Sequence, residues 1–156
     1  LHVRSRRQRQ MCIRDSKKAM PDKTVMVYYL GGINSRMPSV DGVEPGMFVD
    51  YAVADYGGTA APMQGMTVKQ CSGMSIELNR GSGDSSEGTA RSKKEAGYGY
   101  YMFFALGHTN SLVSDFSDYR FQVSRCQSVA RGLYDEELLM PEYYYKKNDA
   151  TRYKLP

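Results

Sequence analysis

The sequence predicts a mainly β domain, one set of antiparallel strands joined by long loops, with α+β as the other option. Three observations carry this. Residues 97–129 hold two aromatic strand candidates around a short polar turn. Met47, Val49, Tyr51 and Val53 alternate with Phe48, Asp50, Ala52 and Ala54, the period of a half-buried strand. Other β-branched and aromatic runs close on Gly, Pro or Asp-Gly, residues that turn the chain by fixing φ or allowing it to be positive.

The amino terminus is set apart. Residues 6–15, Arg6 to Asp15, are what CGT CGG CAG CGT CAG ATG TGT ATA AGA GAC encodes, a string similar to the transposase adapter of sequencing libraries. Residues 1–16 are therefore expected to be adapter-derived and unstructured, against the alternative of a basic nucleic-acid-binding arm. They carry five arginines and one aspartate, so without them the net charge falls from +4 to zero. A neutral remainder offers no electrostatic footprint for nucleic acid. The organisation expected is adapter residues 1–16, a β-rich domain 17–130, and a short helix with a tail or linker over 131–156. No apolar run approaches the roughly 20 residues of a membrane-spanning helix, so no transmembrane segment is expected. Because the read starts on Leu1, an export signal or upstream domain is expected to be missing.

In chain order, residues 23–30 form the first strand candidate, ended by Gly31-Gly32. Residues 33–46 read as a loop and 47–54 as the second strand. Residues 66–71 and 74–78 look like a hairpin turning at Ser72-Gly73. The Gly-, Ser- and charge-rich stretch 79–97 reads as a long exposed loop. Residues 98–106, aromatic on both faces, suit an inner strand. Tyr119, Phe121 and Val123, alternating with polar residues, suit the next. Residues 133–140 can make two helical turns before Pro141.

No catalytic constellation stands out. His108 with Ser111 and Asp115 invites a triad reading, but a solvated turn histidine explains it, and no nucleophile elbow is present. Residues 81–87 lack the Lys of a phosphate loop and the regular acids of a calcium loop. The cysteines outside the adapter, Cys71 and Cys126, have no zinc spacing and are either a disulfide or two buried thiols. No metal and no cofactor are expected. Thirteen Tyr and no Trp make Tyr98, Tyr100, Tyr143, Tyr144 and Tyr145 the candidate ligand surface, since tyrosine offers a flat apolar face and a hydroxyl. The alternative is that most are strand and core residues.

Residues 96–104 (Ala-Gly-Tyr-Gly-Tyr-Tyr-Met-Phe-Phe) and 119–126 (Tyr-Arg-Phe-Gln-Val-Ser-Arg-Cys) resemble the carboxyl-terminal segment of the Fibrobacter succinogenes major paralogous domains and related lectin-like bacterial surface modules. The chain departs from that pattern in lacking Trp and in the extra Ser124. The resemblance implies a C-type-lectin-like fold in a secreted or cell-surface setting. The function expected is a non-enzymatic adhesion, structural or ligand-binding module whose partner is a carbohydrate or a surface protein. The alternatives are a fragment of an extracellular hydrolase with its catalytic residues outside this stretch, and a phage or pilus subunit.

Overall fold

The structure is a computed structural model that describes residues 2–29, 39, 41–55, 57–78, 82–104, 116–140, 142–145 and 151–154. Its elements are α1 (His2–Ala19), β1 (Met26–Tyr29), β2 (Tyr51–Ala54), β3 (Ser72–Glu77), α2 (Glu87–Glu95), β4 (Tyr100–Phe104), α3 (Phe116–Tyr134), β5 (Tyr143–Tyr145) and β6 (Arg152–Lys154). Short 3-10 turns at Pro45–Met47 and Val68–Gln70 precede β2 and β3.

The four central strands run parallel. Met26 of β1 pairs with Tyr51 of β2, and Tyr29 with Ala54. Ala52 bridges in parallel to Cys71 at the start of β3, and Ala60 N–H donates to Ser72 O across 2.9 Å. Ser75 pairs with Met102 and Glu77 with Phe104 along β3 and β4. These are two two-stranded ladders, β1-β2 and β3-β4, set side by side through the isolated Ala52–Cys71 bridge in the order β1-β2-β3-β4, with α2 as the crossover between the last two. The mainly antiparallel fold expected from the sequence is corrected to a mixed α/β one. The antiparallel pair among the described residues is β5 with β6.

The outer face of this sheet is the apolar one. Under β1 and β2, Phe48, Val49, Ala52, Ala54, Ala60, Met63 and Cys71 form one buried cluster against Val25, Val27 and Ile13 of α1. Under β3 and β4, Met74, Ile76 and Leu78 pack with Ala90 of α2 and Val129 of α3, beside Tyr101, Phe103 and Leu133. The two helices cross closely at Gly132, where a Cβ would lie 2.4 Å from Glu87 O and 2.6 Å from the Ala90 Cβ. Strand β3 is buried at every position, as an inner parallel strand is when both of its faces are covered.

The sheet is bent. Neighbouring strands stand roughly 4.8 Å apart, so β1 and β4 would be roughly 14 Å apart if it were flat. Yet the rings of Tyr28 and Phe104 meet edge to face with centroids 5.4 Å apart, and Tyr51 meets Tyr100 at 5.0 Å. Both pairs lie on the concave side.

Several local expectations are corrected. The supposed hairpin at Ser72-Gly73 is the start of β3. Part of the supposed loop 79–97 is α2, begun by the Ser86 side chain accepting Thr89 N–H at 3.3 Å, an ordinary helix cap. The supposed strand at 119–123 lies within α3. Residues 136–140 carry no regular structure. Residues 1–16, expected to be unstructured, fall largely within α1, whose Lys17 ion-pairs with Asp50 at 2.9 Å.

Candidate functional site

Parallel strands carry their ligands at the carboxyl edge, where the following loops converge and the strand ends expose side chains. In this sheet that edge is formed by the ends of β1, β2, β3 and β4. On its concave side stand Tyr28, Asp55, Glu77 and Phe104. Tyr28 is in register with Val53, two residues before Asp55, and its hydroxyl donates to Asp55 Oδ1. Phe104 closes on Tyr28 from the far strand. Glu77, 8% exposed, shares its face with Phe104 because partners in a parallel ladder point the same way. The hydroxyl of Ser75 donates to Ala54 O, binding β3 to β2 directly below this group.

Two loops frame the edge. After β2, Gly58 N–H donates to Asp55 O at 2.9 Å. After β3 the chain doubles back, so that Glu77 N–H donates to Ser82 O at 3.0 Å. Gly57 and Gly83 meet backbone to backbone at positive φ, 78° and 83°, and a Cβ on Gly57 would stand 2.9 Å from Gly83 N. Only glycine allows that approach. Asp84 then accepts from Ser86 N–H at 2.8 Å and from the Thr89 hydroxyl at 2.5 Å. The Thr89 bond first, then those from Ser86, hold its carboxyl below the usual aspartate range.

Two aromatic rings beside two carboxyl groups suit a polyhydroxylated ligand. Rings stack on the C–H faces of a pyranose, and carboxylates accept from its hydroxyls. Among the described residues, no group of three or more His, Cys, Asp or Glu is placed to hold a metal ion.

The residues singled out in the sequence lie elsewhere. Tyr98 packs beside the first apolar cluster, with the Lys93 ammonium 5.2 Å from its ring centroid. Tyr100 opens β4 at its amino end, 45% exposed. Both border an open groove of about 450 Å3 between β4 and α3, which Tyr101, Phe103, Cys126 and Leu133 also line. Among the described residues the Tyr101 hydroxyl has no hydrogen-bond partner, and burial first, then the Asp84 charge, pushes its pKa up to about 12. Tyr143, Tyr144 and Tyr145 make up β5, paired with β6, and the Arg152 guanidinium lies 4.5 Å from the Tyr143 ring centroid. His108, Ser111 and Asp115 lie outside the described residues. Tyr28, Asp55, Glu77 and Phe104 escaped sequence reasoning. The signal that could have found them is that each sits at or next to the last position of a strand.

The disulfide expectation is corrected. Cys71 and Cys126 are free, because they sit in different apolar clusters, one opening β3 and one on α3. Burial raises both thiols above their ordinary value.

No family model matches the chain. It is 33% identical over 137 residues to endo-β-N-acetylglucosaminidase F1 of Elizabethkingia meningoseptica, a match that takes in 86% of this chain and 39% of that protein. The chain resembles an endo-β-N-acetylglucosaminidase. In structure it superposes on Bacteroides thetaiotamicron EndoBT-3987 with Man5GlcNAc product at TM-score 0.72 and 39% identity, over 92% of this chain and 32% of that one. The same protein in complex with Man9GlcNAc2Asn substrate gives 0.71 and 40%, over 92% and 34%. The chain thus spans about a third of the length of these relatives. The likeness overturns the resemblance to lectin-like surface modules and, with it, the non-enzymatic adhesion reading. The hydrolase alternative fits better.

Proposed function

We propose that this chain forms part of an endo-β-N-acetylglucosaminidase, a glycoside hydrolase acting on N-linked glycans, and that its carboxyl-edge group holds part of the oligosaccharide. The observation that carries the reading is the likeness to EndoBT-3987, a protein crystallised with both a glycan substrate and a glycan product. The Tyr28, Asp55, Glu77 and Phe104 group supports it, because it lies where parallel α/β folds bind ligands. The reaction adds water across the glycosidic bond between the two N-acetylglucosamines of Man9GlcNAc2Asn. It releases Man9GlcNAc and leaves one N-acetylglucosamine on asparagine. We assign to Asp55 the acceptance of sugar hydroxyls, with its carboxylate oriented by the Tyr28 hydroxyl, and to the rings of Tyr28 and Phe104 the apolar wall.

The test is mass spectrometry of Man9GlcNAc2Asn incubated with the longest natural protein that carries this chain, and titration of the same glycan into the chain itself. Release of Man9GlcNAc is expected from the former. For the latter, Asp55→Asn should weaken glycan binding roughly 10-fold or more, since a hydrogen bond to a charged group contributes about 1.5–3 kcal/mol. Intact glycan in the first experiment together with no binding in the second would overturn the reading. An extracellular or cell-surface location belongs to the same proposal, because asparagine-linked glycans sit on surface loops of secreted proteins. Fractionation of the source cells tests it.

A further inference from the structure

We infer that Arg125 is a positioning residue for the carboxyl edge, acting from α3 through the two framing loops rather than on the ligand. This rests on the reading above only in what the edge binds. The mechanical part stands on the geometry alone.

Arg125 lies on α3, with its side chain partly buried and its guanidinium 5.6 Å from the centroid of the Phe121 ring one turn earlier. Its Nη2 donates to Ser82 O at 2.8 Å and to Gly83 O at 2.7 Å. These are consecutive carbonyls at the point where the chain doubles back after β3. Ser82 O also accepts Glu77 N–H at 3.0 Å, so both lone pairs of that oxygen are in use. One side of the oxygen thereby fixes the end of β3, and the other is held by α3. Gly83 is wedged: a Cβ on it would stand 2.5 Å from Ser75 O and 3.3 Å from Gly57 Cα. Gly57 in turn is two residues past Asp55, whose carbonyl holds Gly58 N–H. The path from Arg125 to the edge is therefore continuous: Ser82 to Glu77 on one branch, and Gly83 to Gly57 and Asp55 on the other. Asp84 ties the same loop to α2 through its own hydrogen bonds, and its charge also acts on Arg125, so that two helices hold one loop. Arginine suits this place because it keeps its charge and offers several donors in a rigid fork.

The test compares the whole chain with Arg125→Met and Arg125→Lys variants, reading amide hydrogen exchange residue by residue beside Man9GlcNAc2Asn titration. Arg125→Met should speed exchange at the Glu77 and Gly58 amides on the order of 10- to 100-fold, the factor that losing a charge-assisted bond implies. The Val49 and Cys71 amides, in the other cluster, should keep their wild-type rates. Glycan affinity should fall about 10-fold, and lysine, which can still donate to one carbonyl, should restore most of both. Gly83→Ala, which drives the loop off Ser75 while leaving Arg125 in place, should reproduce the exchange pattern and serves if Arg125→Met does not fold. Unchanged exchange at Glu77 and Gly58, or an equal rise at all four amides, would overturn the inference by making Arg125 an ordinary packing residue. A wild-type chain that binds no glycan would remove the functional reading instead, and the exchange pattern would still decide the role of Arg125.

Discussion

Asp84 is the residue that ties loop to helix most directly, and its chemistry gives the fold an acid limit. Its hydrogen bonds to Thr89 and Ser86 favour the ionised form, so its folded pKa lies below the roughly 3.9 of an unfolded aspartate. The stabilisation is fully present above that value and is lost as pH falls through the folded one. Asp50, depressed first by the Val25 N–H and then by Lys17, adds a second contribution with the same sign. Thermal melts of wild type and Asp84→Asn between about pH 2 and 6 should therefore converge on acidification. Wild type should be the more stable at the upper end, and the variant should retain only a shallower acid slope. A difference that grows as the pH falls would contradict this account.

Among the elements, the helix pair behind β3 and β4 makes the sharpest demand on sequence. Gly132 of α3 lets the helices approach until a single methyl would meet the Glu87 carbonyl and Ala90. Gly132→Ala should cost on the order of 1–3 kcal/mol through overpacking, despite the better helix propensity of alanine, and urea unfolding would measure it. This scale also explains what could be read in advance. β1, β2 and β4 were legible, because Val27, Tyr28, Val53 and Tyr101 sit in short β-branched and aromatic runs bounded by glycine or aspartate. α2 was hidden because Ala90 is its one buried side chain, and a polar, glycine-flanked stretch with one core residue shows no apolar stripe. α3 was disguised by the alternation of Tyr119, Phe121 and Val123. Its inward set among the described side chains, Gln122, Cys126, Val129, Ala130 and Leu133, does follow the helical period but includes a glutamine. β3 misled in the opposite way, since Ser72, Ser75 and Glu77 are buried although their residue types are usually exposed. The candidate site was illegible because it belongs to strand ends brought together by the bend, not to any local motif.

For the molecule as a whole, the two apolar clusters account for the chemistry of its thiols. Cys71 is fully enclosed in one and Cys126 lines the other, and both are raised by burial. Cys71 should react with a thiol reagent far more slowly than Cys12, which is exposed, until denaturant is added, because the reactive species is the thiolate. Mass spectrometry without reductant should find no link between Cys71 and Cys126, and a linked pair in folded protein would overturn this placement.

The parallel ladders carry one more consequence, this time for time rather than for structure. Met26 finds Tyr51, and Ser72 finds Tyr100, only across the whole length of an intervening segment. No tight reversal can start either ladder, as it would in a hairpin. Chain closure must come before the contacts that reward it, which places such topologies toward the slow side of the folding-rate range.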